Sequence, residues 1–267
     1  MTTLTITAQP QAPLEASVIT PDQFLSRPAA ELARLAVVHG NEQACLGDFF
    51  KIEGNGSPEL VLNGDLSRVK WIGAGMTMGS IAIYGDSGMH LGSGMRGGEI
   101  NAFGNAGDWA GAEMTGGNLH IRGNAGHGTG GAYRGSRHGM NRGLIIVEGN
   151  AGNETGAAMR RGLIAVKGDA GDFAGAFMVA GTIVVFGDLG IRAGAGLLRG
   201  TIVAFRKMEL LPTYRYACSY RPVFLEKILL ELRTHGLAIP DIAGLCFRRY
   251  SGDFNRLGKG EILVMDD

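Results

Sequence analysis

The chain has 267 residues, 45% of them hydrophobic, enough to bury a sizeable core, and its 25 basic residues balance 25 acidic ones. No net field therefore draws it onto nucleic acid or an anionic membrane. The amino-terminal MTTLTITAQPQAP lacks a basic stretch followed by an apolar one, and no apolar run nears the roughly 20 residues of a bilayer span, which predicts a cytoplasmic protein. Cys45, Cys218 and Cys246 are odd in number and widely separated, with no CxxC pair, so they predict three reduced, buried thiols rather than disulfides or a thiolate metal cage.

Residues 1–63 read as an amino-terminal cap. Pro28 opens a short helix predicted over Arg27 to Val38, and Phe49 to Glu53 and Glu59 to Leu62 read as strands. Glycine then becomes the dominant signal, at 45 residues of 267, against a usual share of about 7%. Collagen is excluded because glycine does not recur every third residue, and a flexible linker because Ile, Val and Met alternate between the glycines.

Gly-Asp or Gly-Asn recurs at residues 64, 85, 104, 123, 149, 168 and 187; four of the six spacings are 19 residues, the first is 21, and the fourth is 26 because Gly131 to Arg137 add seven residues. Seven windows of the form G-x-x-M-x-x-G-x-[IL]-x-[IV]-x-G follow, at 73–85, 92–104, 111–123, 137–149, 156–168, 175–187 and 194–206, the fourth beginning on Arg137 and the seventh ending on Arg206. Short β-type runs separated by glycine corners at this period predict an all-β, single-stranded parallel right-handed β-helix of about seven coils over residues 64–206. No unit can bury its own apolar face, so alternate Ile/Leu and Val/Ala residues must point inward and stack on the same column one coil away. Met76, Met95, Met114, Met140, Met159 and Met178, with Leu197, form a predicted interior ladder. Hexad acyltransferase helices and calcium-binding nonapeptide arrays have other periods and are excluded.

Residues 207–267 supply an amphipathic helix predicted over Pro222 to His235 and a strand over Gly260 to Met265. The outward residues of the array change from Asn118, His120 and Arg122 to Thr182, Val184 and Phe186, then Thr201, Val203 and Phe205. Such an apolar face must be covered, by the carboxy-terminal helix or by a partner subunit.

Motifs that carry chemistry are sparse. Gly92-x-Gly94-x-x-Gly97 matches the dinucleotide fingerprint but sits inside a 19-residue unit with no room for a strand, helix and second strand. Gly258-Lys259 lacks the spacing and hydroxyl of a phosphate loop, and there is no HExxH or other metal motif and no nucleophile with a base. His90, His120, His127 and His138 share no column and read as polar surface or turn residues. One cluster stands out: Arg134, Arg137, His138 and Arg142 on the longest unit, with Arg160 and Arg161 one unit on. It is either solvated surface charge or a ridge suited to carboxylate or phosphate.

The seven-fold window, the opening segment Gly64-Asp65-Leu66-Ser67-Arg68-Val69-Lys70, and the tail Arg248-Arg249-Tyr250-Ser251-Gly252-Asp253 with Leu257-Gly258-Lys259-Gly260-Glu261-Ile262 resemble the C subunit of the formyltransferase/hydrolase complex and that of formylmethanofuran dehydrogenase, from about Pro21 to Val264. The repeat alone is also similar to the β-helix domain of large glutamate synthase subunits. The resemblance implies a non-catalytic scaffold with an amidohydrolase-like metal-dependent subunit, a second scaffold subunit and a formyltransferase subunit as partners. It implies a methanofuran or methylofuran carrier in the complex, metal ions in a partner, and no cofactor held by this chain. The complex would pass a formyl group from formyl-tetrahydromethanopterin to that carrier and hydrolyse it to formate, or, in the dehydrogenase branch, would work with a molybdenum or tungsten subunit. A share of 19% charged residues and scarce lysine disfavour a hyperthermophilic archaeon and point to the bacterial branch. A free-standing anion-binding module and an enzyme with its own active site are the competing classes.

Overall fold

The structure, a computed structural model, describes residues 1–239 and 244–266. It is dominated by strands, and its largest sheet has 13 of them among the described residues. The centre of that sheet is the repeat. Ser80–Tyr84, Glu99–Ala102, Asn118–Ile121, Leu144–Val147, Leu163–Val166, Thr182–Val185 and Arg199–Ala204 lie side by side in sequence order, each parallel to the next. The register never slips: Ile81, Ile100, Leu119, Ile145, Ile164, Ile183, Ile202 and Ile262 form one continuous buried column. Slippage by one residue would turn this whole column to the other face, which is why the alternation holds it so firmly.

A second parallel ladder of single bridges joins Leu66, Ser87, Ala106, Ala125, Ala151, Ala170 and Leu189. Beside it lies the cause of the Gly-Asp/Asn recurrence. From Asp86 to Asp169 the side-chain oxygen of the Asp or Asn accepts the backbone N–H of its counterpart in the next unit: Asp86 from Asn105 at 2.7 Å, Asn105 from Asn124 at 2.8 Å, Asn124 from Asn150 at 2.8 Å, Asn150 from Asp169 at 2.8 Å and Asp169 from Asp188 at 2.7 Å. The preceding glycine is needed because successive units approach closely there. A Cβ on Gly123 would fall 2.7 Å from the carbonyl oxygen of Gly104. Asp108, His127, Asn153 and Asp172 form a second ladder of the same kind, in which His127 Nδ1 accepts from Asn153 N–H at 2.9 Å. His127 is thus the turn residue its sequence position suggests.

The predicted methionine ladder is interior: none of Met76, Met95, Met114, Met140, Met159, Met178 and Leu197 is more than 1% exposed. Their flexible thioethers fill the space between stacked turns, with the Met114 methyl beneath Gly143 and the Met140 methyl beneath Gly162.

At the amino end the sheet continues through Glu59–Asn63 to Thr2–Ile6 and ends on antiparallel Phe50–Glu53. The helix expected over Arg27 to Val38 is shorter. Only Ala29–Leu32 is helical, and Ala36–His39 pairs instead with Glu42–Cys45 and with Leu14–Glu15. The β-branched pair Val37-Val38, followed by Gly40 at φ +62°, turns a hairpin where a helix-like apolar pattern continues. A further short helix, Pro21–Phe24, is capped by Thr20, whose hydroxyl accepts the N–H of Gln23.

At the carboxy end Lys259–Met265 adds to Arg199–Ala204 in parallel, and Phe247–Gly252 and Arg215–Tyr220 follow in antiparallel order. The helix Val223–Thr234 lies on the outward face of the late units. Leu225, Leu229 and Leu232 pack with Leu237 and Phe247 against Leu144, Ile146, Ala165, Val184, Val203, Phe205 and Leu263. This chain's own helix therefore covers the apolar face. The cysteines differ from expectation: Cys45, Cys218 and Cys246 are all exposed, because they lie on the flanking segments and the inward columns are filled by Met, Ile and Val.

Met159→Ala should cost about 2–5 kcal/mol in urea unfolding, and Met159→Leu under about 1.5 kcal/mol. Met114→Asp with Met159→Asp should abolish soluble yield, because each buries a charge with no partner.

Candidate functional site: an arginine-lined cavity

The six residues of the predicted ridge separate into two groups. Arg134, Arg137 and His138 lie exposed on the long loop, with Arg142 exposed at its end. The loop is rooted on the following unit through Ala132 N–H to the carbonyl of Ala157 at 3.0 Å and Gly139 N–H to that of Ala158 at 3.0 Å. Half-buried Arg160 and exposed Arg161 line an open cavity of about 590 Å³ with Asn141, Val179, Ala180, Leu198, Arg199 and Leu257. Arg199 joins this group although it stands outside the arginine cluster of the sequence.

Leu257 reaches the cavity on a loop held by one buried carboxylate. Asp253 accepts Gly196 N–H at 3.0 Å and Asn255 N–H at 2.8 Å, and its own carbonyl accepts from Arg256 at 2.9 Å and Gly258 at 3.1 Å. Burial pushes the carboxyl up, but the two N–H donors and the nearby Arg256 outweigh it and hold it below the ordinary carboxylate value. The Arg256 guanidinium also sits over the Phe177 ring, 5.9 Å from its centroid, within reach of the ring's negative face.

The long loop has an anchor that lies far away in sequence. Trp71, His90 and Trp109 occupy the same corner of three successive units, all at positive φ, and their rings stack: Trp71 on His90 at 4.0 Å and His90 beside Trp109 at 5.7 Å. Tyr133 closes over this stack, its hydroxyl 2.9 Å from His90 Nδ1 and 2.5 Å from Ser93 Oγ. Burial raises the Tyr133 hydroxyl and lowers the His90 imidazole, so near neutral pH a neutral phenol and a neutral ring share this hydrogen bond. No local pattern announces this contact, which spans 43 residues.

A second polar cluster lies at the end of the carboxy-terminal helix. His120, expected at the surface, is only 6% exposed, and its Nε2 lies 2.9 Å from Glu148, which also pairs with Arg122. It is buried because it stands in the row that becomes apolar at Ile146 and is covered by the helix end, where Thr234, His235 and Gly236 line the same cavity. Burial and the Arg122 charge lower its pKa, and Glu148 opposes them. With Nε2–H donated to Glu148, the imidazole is tied into an ion-pair network. Among the described residues no group of three or more His, Cys, Asp or Glu side chains could hold a metal ion, and no helix is long and apolar enough to cross a membrane.

No protein-family model matches the chain. Among curated proteins it is 42% identical over 93 residues to the C subunit of tungsten-containing formylmethanofuran dehydrogenase 2 from Methanothermobacter wolfeii, covering 33% of this chain and 34% of that protein. It is 41% identical over 83 residues to the C subunit of molybdenum-containing formylmethanofuran dehydrogenase 1 from Methanosarcina barkeri, covering 29% and 28%. To the C subunit of the formyltransferase/hydrolase complex Fhc from Methylorubrum extorquens it is 38% identical over 73 residues, covering 27% and 28%. These stretches span about a third or less of the relatives' length. The structural match is longer. A chain in the X-ray crystal structure of the formyltransferase/hydrolase complex FhcABCD from Methylorubrum extorquens, solved in complex with methylofuran, superposes with a TM-score of 0.93 at 37% identity, over 99% of this chain and 100% of that one.

An in-register array of glycine-cornered parallel strands, flanked at both ends and matched over 99% of its length by a chain of the FhcABCD structure, defines a class of repeat-built β chain. Within that class the chain belongs to the family formed by the C subunits of the formyltransferase/hydrolase complex and of formylmethanofuran dehydrogenase.

Two outcomes test the anchors. Tyr133→Phe removes both hydroxyl contacts and should speed tryptic cleavage after Arg134 and Arg137, with the far-ultraviolet circular dichroism unchanged. Because the Asp253 pKa is depressed on folding, its stabilisation is full above the ordinary carboxylate value near 4 and is lost as the pH falls through the folded value. Asp253→Asn should therefore lower stability at pH 7 by about 1–3 kcal/mol in urea titrations, with the difference shrinking below about pH 4.

Proposed function

We propose that this chain is the scaffold subunit of a formyltransferase/hydrolase complex, without a catalytic residue of its own. The observation that carries the reading is the end-to-end match at 37% identity to a chain of the FhcABCD crystal structure. In this reading the array winds as a right-handed parallel β-helix, a rigid rod on which an amidohydrolase-like metal-dependent subunit, a second scaffold subunit and a formyltransferase subunit assemble in the cytoplasm. The complex passes a formyl group from formyl-tetrahydromethanopterin to a methanofuran-type carrier and hydrolyses it to formate, with the metal ions in a partner. The 19-residue register supports the winding, since two ladders of equal period on one chain require each unit to return to the same place.

The end-to-end structural match at 37% identity supports the formyltransferase/hydrolase branch, and the dehydrogenase branch is the alternative, since its C subunits match in sequence over 93 and 83 residues against 73 for the Fhc subunit. Arg134, Arg137, His138, Arg142, Arg160 and Arg161 would guide a carboxylate-bearing carrier arm or dock an acidic partner surface, with binding distributed over several weak, salt-sensitive pairs.

A tagged chain expressed with the genes beside it should recover partner subunits at fixed stoichiometry, and the chain alone should show neither formyl transfer nor formyl hydrolysis with metal supplied. A monodisperse free chain with no partner, or turnover that tracks one of its own histidines, would sink the scaffold reading. Charge reversal at Arg160 and Arg161 should slow formyl transfer through the complex at low salt and leave hydrolysis of a short, uncharged formyl amide intact.

A further inference from the structure

Counting two residues past each ladder position explains how Arg199 comes to face Arg161. The sequence places Arg142 after Met140, Arg161 after Met159, Ala180 after Met178 and Arg199 after Leu197. Neighbouring strands are about 4.8 Å apart, so the methyl group of Ala180 leaves a gap of about 10 Å between the backbones that carry Arg161 and Arg199. Val179 and Leu198 flank the gap and Leu257 closes one side. Arg160 lies against the wall, its Nε buried and without a hydrogen-bond partner. Among the described residues none of Arg160, Arg161 and Arg199 pairs with a carboxylate. Lys259, in register with Arg199, adds a further positive charge to the same rank.

Half-buried Arg160, whose Nε has no acceptor, and the exposed, unpaired Arg161 and Arg199 place three like charges around one space, a crowding that an oxyanion relieves. We propose that this cavity is a binding site for a carboxylate carried on an aliphatic stem. The guanidinium fork suits a carboxylate, and Arg161 and Arg199 can meet the two ends of a dicarboxylate at once. The side chains of Val179, Leu198 and Leu257 give methylene groups an apolar wall, which a bare phosphate would not use. The inference rests on the anion-binding reading of the arginines but places the ligand in the cavity and not on the loop. The carboxylates can come from a free small dicarboxylate or from the glutamyl side chains of a longer acidic chain.

Phenylglyoxal modification, read at each arginine by mass spectrometry on the full chain with any subunits that copurify, tests this directly. Glutarate or a tetraglutamate peptide should protect Arg160, Arg161 and Arg199 saturably and leave Arg134 and Arg137 reactive, while inorganic phosphate at matched ionic strength should not. The ratio of the two protections identifies the source, and either one upholds the site. Arg199→Ala should weaken protection of Arg161 about ten-fold, the loss of one charge-assisted hydrogen bond. Arg161→Gln, with its fold checked by circular dichroism and protection read at Arg199, replaces it if the first variant does not fold. Protection at Arg134 and Arg137 instead would support the loop ridge and overturn the cavity. Equal protection by phosphate would overturn the carboxylate assignment. Absence of protection, or arginines unreactive before any ligand is added because a partner covers them, would overturn the site altogether.

Discussion

Everything in this molecule is constrained by the distance at which one repeat unit lies on the next. Parallel main-chain hydrogen bonds fix that distance at about 4.8 Å, and no side chain directed at the next unit can be larger than the gap allows. Glycine is therefore placed wherever a Cβ would strike the preceding unit, as Gly123 against Gly104 and Gly149 against Gly123 show. The same spacing makes the adjacent Asp or Asn useful, since a side-chain oxygen just beyond Cβ reaches the N–H of the unit above at 2.7–2.8 Å. A corner amide that faces no carbonyl is thereby satisfied without water. Composition, periodicity and fold are one consequence of that spacing.

A stack of identical units has two problems that the repeat cannot solve. Its ends expose unpaired strand edges, and an apolar row on the outward face exposes surface to water. Both are met by the segments outside the repeat. Phe50–Glu53 closes the amino end antiparallel, with Lys51 and Glu53 as a charged pair at 2.8 Å on that edge. The carboxy-terminal helix closes the outward face, and Leu225, Leu229 and Leu232 repeat at the spacing needed to lie along the row Ile146, Ala165, Val184 and Val203. Where the row turns polar, at His120, burial continues only because Glu148 and Arg122 supply partners.

What was legible in the sequence follows from which features are periodic. The methionine ladder, the inward Ile and Val columns and the positions of the seven array strands are repeated signals, so errors at one unit are corrected by the others. Features that occur once were not protected in this way. Arg27 to Val38 carries a helix-like apolar pattern, yet pairing with Leu14–Glu15 and the turn at Gly40 make its second half a strand. Cys45, Cys218 and Cys246 resemble core residues by type but fall on segments that have no inward column. Tyr133 could not have been found, because its partners lie 40 and 43 residues away. Arg199 could have been: it stands two residues beyond Leu197, as Arg161 stands beyond Met159, and the 19-residue frame that defines the ladder already contains it.

Periodicity also determines how a surface on such an array can acquire a function. Core columns are bound by volume and corners by backbone contact, so only the outward residues and the inserted loop are free to vary. A side chain at a free position acquires neighbours about 4.8 Å away on either side, whatever its sequence context. Like charges placed there accumulate into a rank, and a small residue among them opens a gap of a size set by the repeat. Arg142, Arg161, Ala180 and Arg199 show both effects on one line. The cavity is thus made by omission, since an alanine where its neighbours in the rank are arginines is what admits another molecule between Arg161 and Arg199. The remaining opening is bounded by Leu257, whose loop hangs on the Asp253 carboxylate at a site outside the repeat. Array and flank contribute different things to the same space: the array supplies regularly spaced charge, and the flank supplies the single wall that a regular array cannot make for itself.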